Sequence, residues 1–240
     1  MVNKIITILI EILKKIEKDN SLSLIGKGGT IIAYYYLNHR DSQDLDFDCY
    51  SKDEMSDERI REYFERIFNE LKSEKIIENY KNVKIERSGT GIFHMNVLFS
   101  KYTSYPPTKV EINFLQEKPE DGILTKNKNL AIYTLEELFF HKLEAFRDRK
   151  AVKDAVDIGT MLKLNKLDQH LISRNKRDVK KLINEDLKIL EEWIRDKTVW
   201  KEEFRNLEVK FNSVNEKNFE NFIKNTIHML NRVLNNSKSI

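Results

Sequence analysis

The chain has 240 residues with 42 Lys and Arg against 39 Asp and Glu, net +3, and 40% hydrophobic side chains, enough for one large or two small domains with real cores. Cys49 is the single cysteine, which excludes an internal disulfide and suits a reducing compartment. The apolar run at 5–10 is broken by Glu11 and falls short of the ~18 residues a membrane-crossing helix needs, so a cytoplasmic protein without membrane association is expected.

In chain order, apolar spacing predicts a helix over 3–18 and a short strand at 22–26. That strand runs into Gly26, Lys27, Gly28, Gly29 and Thr30, which hold three of the chain's seven glycines. Glycine lets backbone N–H groups approach phosphate oxygens closely, and a following helix over 30–38 would aim its positive end at them. The Gly-x-x-x-x-Gly-Lys-Ser/Thr spacing of a P-loop is absent, so a plain strand-to-helix turn is the competing reading.

Residues 40–48 carry the most chemistry. In a strand at 45–50, Leu45, Phe47 and Cys49 point one way and Asp44, Asp46 and Asp48 the other. Carboxylates two residues apart on a strand sit roughly 6–7 Å apart at the backbone, close enough to converge on a hard cation such as Mg²⁺. The interleaved Leu45 and Phe47 argue against a solvated acidic turn, and Arg40 and Ser42 add phosphate-binding groups just before the row. A glycine turn followed by alternating carboxylates fits a metal-bound nucleoside triphosphate. Asp44 and Asp46 are the expected ligands, and Asp48 is expected to be only the next polar position.

A helix over 56–74 follows, then strands at 81–88 and 92–100 joined by Ser88, Gly89, Thr90 and Gly91 as a hairpin turn. Over 109–116, Val110, Ile112 and Phe114 alternate with Lys109, Glu111 and Asn113, offering Glu111 as a third carboxylate. From Leu135 onward the pattern is nearly all helical, opening on a capping box at Thr134 and Glu137. In one unbroken helix, Lys142, Arg149, Lys153 and Asp157 would share a face; alternatively 147–150 breaks it, leaving Asp154 and Asp157 at the start of a second helix. Ordinary surface pairing along a charged helix competes with a functional role.

Apolar stripes at Val179, Leu182, Ile183, Leu187, Leu190 and Ile194, and at Phe219, Phe222, Ile223, Ile227, Leu230 and Val233, read as helix-packing core. Arg174, Lys176, Arg177, Lys180 and Lys181 form the densest basic run, either a solvated face or RNA phosphate contacts. Residues 1–125 hold 18 basic against 21 acidic side chains, and residues 126–240 hold 24 against 18. An acidic half joined to a basic one suits a polyanionic substrate. The histidines show no metal-ligand spacing.

Lys27-Gly28-Gly29-Thr30, then Arg40, Ser42, Asp44 and Asp46, then Lys109 to Asn113 around Glu111, and finally Lys142, Ala145, Arg149, Lys153, Asp154 and Asp157 follow one another over residues 20–162. In order and spacing they resemble the AbiEii/AbiGii-type nucleotidyltransferases, many of them bacterial toxins, within the DNA polymerase β-like superfamily. The resemblance implies an α+β fold: a nucleotidyltransferase domain at 1–125 with a mixed sheet flanked by helices, then a helical bundle domain at 126–240. It implies Mg²⁺ (or Mn²⁺) on Asp44, Asp46 and Glu111, and Glu111 helping to deprotonate the attacking hydroxyl. Lys142, with Asp154 or Asp157, would serve the transferring phosphates, and Gly28, Gly29, Thr30, Arg40, Ser42 and Arg149 would hold the triphosphate. The implied substrate is an NTP, the acceptor an RNA or tRNA end or a protein side chain, and a cognate antitoxin a possible partner. An antibiotic-type small-molecule nucleotidyltransferase and a non-catalytic nucleotide- or nucleic-acid-binding scaffold are the rival readings; the basic second half counts against the first, and the intact carboxylates against the second.

Overall fold

The computed structural model describes residues 4–50, 55–89, 91–100, 107–120, 122–164, 167, 178–206 and 211–236. It divides into two compact units, one formed by residues up to 34 and from 41 to 134, the other by 35–40 and 135 onward.

The first unit is built on a seven-stranded mixed sheet. Its elements are α1 (Lys4–Lys18), β1 (Leu24–Lys27), α2 (Gly28–Ile31), β2 (Leu45–Cys49), α3 (Asp57–Ser73), β3 (Tyr80–Arg87), β4 (Phe93–Phe99), β5 (Thr108–Phe114), β6 (Leu124–Asn127) and β7 (Leu130–Tyr133). The strand order is β3-β4-β5-β2-β1-β7-β6. β2 runs parallel to β5 and β1 parallel to β7, while the other neighbours are antiparallel.

Period-2 alternation sorts the sheet's faces. Leu45, Phe47, Cys49, Phe93, Met95, Val97, Val110 and Ile112 are buried on one side. The amphipathic faces of α1 and α3 complete that core through Ile8, Leu9, Ile12, Leu13, Phe64 and Phe68, with Phe47 meeting Phe64 at 6.4 Å between ring centroids. The other face is left with the polar half of each alternation, and there the acids stand. Ser56 caps α3 by accepting from the Arg59 N–H at 3.2 Å.

The β6–β7 hairpin was not anticipated. Each strand has four residues, too few for a period to declare itself, yet Leu130 and Ile132 are buried and β7 pairs with β1. β1 itself starts two residues later than expected, because Ser23 turns with φ 54° and the Asn20 side-chain amide holds both the N–H and the C=O of Leu24. The helix expected over 30–38 starts at Gly28 and widens into a π-helix at Ile32–Leu37.

The second unit is helical: α4 (Leu135–Arg149), α5 (Val152–Lys163), α6 (Val179–Arg195), α7 (Thr198–Asn206) and α8 (Phe219–Asn236). α4 ends where Lys150 takes φ 53°, and α5 begins after extended Ala151, so the broken-helix alternative holds. Aromatic side chains fill its core: Phe146 meets Trp193 edge-on at 5.2 Å and Trp200 meets Phe219 at 4.7 Å. At Gly159 α5 packs tightly on α8, since a Cβ there would lie 2.4 Å from Thr226 Oγ1 and 2.5 Å from Phe222 Cζ. Of the basic run, Arg174, Lys176 and Arg177 lie outside the described residues, and Lys180 and Lys181 are exposed in the first turn of α6. No described helix is long and apolar enough to cross a membrane.

Candidate active site

The residues singled out by sequence fall into two groups, one in each unit. In the first unit, strand register builds a polar row across four strands. Lys27 of β1 pairs with Asp46 of β2, Asp46 with Glu111 of β5, and Glu111 with His94 of β4. Asp46 and Glu111 are therefore direct neighbours on parallel strands, about 4.8 Å apart at the backbone. Asp44 stands just before β2, where its Oδ1 accepts the Lys109 N–H at 3.3 Å. The Thr30 hydroxyl reaches both Ser42 Oγ, at 2.7 Å, and the Asp44 carbonyl, so the first turn of α2 is tied to the start of the acidic row.

Gly28 has a steric reason to be glycine. Its φ is 75°, and a Cβ at that position would lie 2.1 Å from Asp46 Oδ2. The chain thus crosses directly above one carboxylate of the pair. Gly29 and Thr30 follow in the same turn, both buried.

Charges in this row are partly compensated. Lys109 Nζ pairs with Glu111 Oε2, and His94 Nδ1 stands 3.5 Å from the same oxygen. Asp48 is no ordinary surface position: it is buried and bonded to Lys27, Asn113 and Tyr133. His94 and Tyr133 escape sequence reasoning because register alone brings them here, and Asn113, named in the Lys109–Asn113 element, has no role assigned from sequence; the one available signal is that His94 and Asn113 share the polar phase of their strands. Among the described residues, no three His, Cys, Asp or Glu side chains are gathered closely enough to hold a metal ion. The oxygens of Asp44, Asp46 and Glu111 are nonetheless hard donors, the chemistry a Mg²⁺ ion selects, and these are the residues that could hold one.

In the second unit, Lys142 Nζ lies 2.9 Å from Asp154 Oδ1 and 2.8 Å from Asp157 Oδ2, so it is shared by both acids. Arg149 grips Asp154 through Nε at 2.6 Å and Nη2 at 2.7 Å. Arg40 grips Asp157 in the same two-pronged way, at 2.6 and 2.9 Å, and His39 Nε2 adds a 2.6 Å contact. Both aspartates are 0% exposed, whereas the Arg149 side chain is 51% exposed and is the outward member. Burial pushes the Asp157 carboxyl up, but Arg40 and Lys142 outweigh it and hold the group well below the usual range. Asp154 is lowered in the same way, burial being outweighed by Lys142 and Arg149. Arg40, adjacent in sequence to the acidic row, thus bonds Asp157 of the second unit.

Segment 38–40 is fixed to the second unit by its backbone too: Asn212 N–H donates to the His39 carbonyl at 2.9 Å, and Arg40 forms a β-bridge with Phe211.

A family model described as nucleotidyl transferase AbiEii toxin, type IV toxin–antitoxin system, matches residues 13–227. The chain belongs to that AbiEii family. As a member it is a nucleotidyltransferase, and the match spans both units. Two solved structures share the fold: JHP933 from Helicobacter pylori, 17% identical with a TM-score of 0.64, and a candidate nucleotidyltransferase of H. pylori, 16% identical with a TM-score of 0.65. Each similarity covers 97% of this chain, and 91% and 94% of the other respectively. Among curated proteins, none matches significantly.

Proposed function

We propose that this AbiEii-family protein transfers a nucleoside monophosphate from an NTP to a hydroxyl on an RNA or tRNA end or a protein side chain, and that it acts as the toxin of a toxin–antitoxin pair. The observation that carries this reading is the register pairing of Asp46 with Glu111 beneath a glycine turn, with Asp44 at the head of the same strand. Mg²⁺ or Mn²⁺ bound through these three carboxylates would neutralise the triphosphate and stabilise the attacking and leaving oxygens.

The acceptor oxygen bonds to the α-phosphorus as the bond to pyrophosphate breaks, and Glu111 takes the hydroxyl proton. Gly28, Gly29, Thr30 and Ser42 shape the turn against which the phosphates lie. In the second unit, Arg40, Lys142 and Arg149 gather around Asp154 and Asp157, and these cations are the groups that would meet a polyanion. A fold with the nucleotidyltransferase sheet first and a helical bundle second is consistent with this division.

Incubation with Mg²⁺, each α-labelled NTP and total cellular RNA or protein should transfer label, and Asp46→Ala should abolish transfer. Absence of transfer to any acceptor, together with no Mg²⁺-dependent NTP binding by calorimetry, sinks the reading. Toxicity is a separate matter: expression of the wild type should arrest growth, expression of Asp46→Ala should not, and a co-expressed cognate antitoxin should relieve the arrest.

A further inference from the structure

Asp48 is the third acid of the β2 row and behaves unlike the other two. Its carboxylate is 4% exposed and takes donors from three other strands. Lys27 Nζ of β1 lies 2.5 Å and Asn113 Nδ2 of β5 lies 3.1 Å from Oδ1, while the Tyr133 hydroxyl of β7 donates to Oδ2 at 2.6 Å. Turning this carboxylate toward a cation would break three hydrogen bonds in a half-dry setting, at about 1 kcal/mol or more each. Asp48 is therefore an anchor, and what it anchors is Lys27.

Lys27 is the last residue of β1. Its backbone pairs with Asp46, and the next residue is Gly28, whose left-handed backbone carries the chain over Asp46 Oδ2. A lysine on its own is a point charge on a long flexible stem. Here Asp48 pins the ammonium to the same sheet face that carries Asp46 and Glu111. The Lys27 side chain keeps 21% exposure, and among the described residues Asp48 is its one ion-pair partner. An ammonium has three N–H donors, so two remain for non-bridging phosphate oxygens.

We propose that Lys27 is a triphosphate-binding residue of the nucleotide site and that Asp48 is the positioning residue that holds it there. This rests on the nucleotidyl-transfer reading and adds to it the cation that meets the polyphosphate. A point charge on phosphate is indifferent to the base, so Lys27 contributes affinity for every NTP alike.

The test is calorimetric titration of magnesium tripolyphosphate, and of the magnesium α,β-methylene analogues of the four NTPs, into the full chain. The proteins are the wild type, Lys27→Met, Lys27→Arg, Asp48→Asn and the Lys27→Met/Asp48→Asn double variant, with thermal melts alongside. Lys27→Met should weaken binding about tenfold, the equivalent of one charge-assisted contact. Asp48→Asn should weaken it several-fold, the double variant should bind like Lys27→Met alone, and Lys27→Arg should retain most of the affinity. Should Asp48→Asn melt below the assay temperature, Asp48→Glu with Lys27→Met completes the same cycle.

A pair with a purely structural role would shift the melts and leave the dissociation constants in place, which overturns the proposal. Losses that multiply in the double variant overturn the claim that Asp48 acts through Lys27. Wild-type protein that binds none of these ligands defeats the nucleotidyl-transfer reading itself, whereas binding retained in Lys27→Met defeats this inference alone.

Discussion

At the scale of single residues, Gly28 and Asp157 make opposite kinds of demand. Gly28 is required for space: a methyl group there meets Asp46 Oδ2 at 2.1 Å and must also adopt φ 75°. Gly28→Ala should cost about 1–2 kcal/mol of stability for the left-handed backbone but should abolish label transfer, because relief of the clash displaces a carboxylate of the acidic pair. A transfer assay beside a melt separates the two effects. Asp157 is required for charge. Asp157→Asn leaves Arg40 and Lys142 facing an amide in a fully buried site, and removing one partner from such a pair costs about 3–5 kcal/mol. Because its folded pKa lies well below the ordinary 3.8, the stabilisation from Asp157 is fully present above about pH 4 and is lost as pH falls through the depressed value. Denaturant melts from pH 7 down to pH 2 should therefore show an acid-limb loss in the wild type that is reduced in Asp157→Asn.

At the scale of elements, β2 and β5 were legible because each buries one face, and a half-buried strand writes its period into the sequence: Leu45, Phe47, Val110 and Ile112 inside, Asp44, Asp46, Lys109 and Glu111 outside. What no period records is which strand lies beside which. Hence Glu111 could be suspected, while its neighbour His94 and the Tyr133 donor to Asp48 could not, the latter standing on a four-residue strand that itself escaped notice. α6 carries a similar surprise on its apolar stripe. Asp186 is buried there, and among the described residues neither carboxylate oxygen has a hydrogen-bond partner. Burial pushes its pKa up to about 8; Arg147 of α4 opposes the rise, while Glu185 of α6, Asp148 of α4 and Asp154 of α5 add to it. The folded chain then keeps a proton that the unfolded chain releases near pH 3.8, so stability falls as pH rises from about 4 to about 8 and levels off above that. Asp186→Asn should flatten that slope, and denaturant melts at pH 5 and pH 8 measure it; an unchanged slope would assign the pH dependence to another group.

At the scale of the whole molecule, chain order and compact units do not coincide. The segment 35–40 lies in sequence between two elements of the first unit yet belongs to the second, where His39 and Arg40 complete the shell around Asp157 and the backbone of 38–40 is bonded to Phe211 and Asn212. Arg40 stands beside the acidic row along the chain, and nothing in residues 35–40 announces a partner more than a hundred positions away. The connectivity predicts how the molecule can be cut. A fragment of residues 135–240 keeps α4 to α8 but, among the described residues, leaves Asp157 with Lys142 alone, forfeiting an Arg pair of the kind worth about 3–5 kcal/mol when buried. That is a large part of the 5–15 kcal/mol that typically holds a domain folded. The fragment should therefore melt low or without cooperativity by circular dichroism, and residues 35–40 joined to it through a flexible linker should restore a cooperative transition. In the bare fragment Asp157→Asn should cost far less than in the full chain, since the bond to Arg40 is already gone. A fragment that melts as sharply and as high without residues 35–40 as with them would show that the segment adds nothing to the unit's stability.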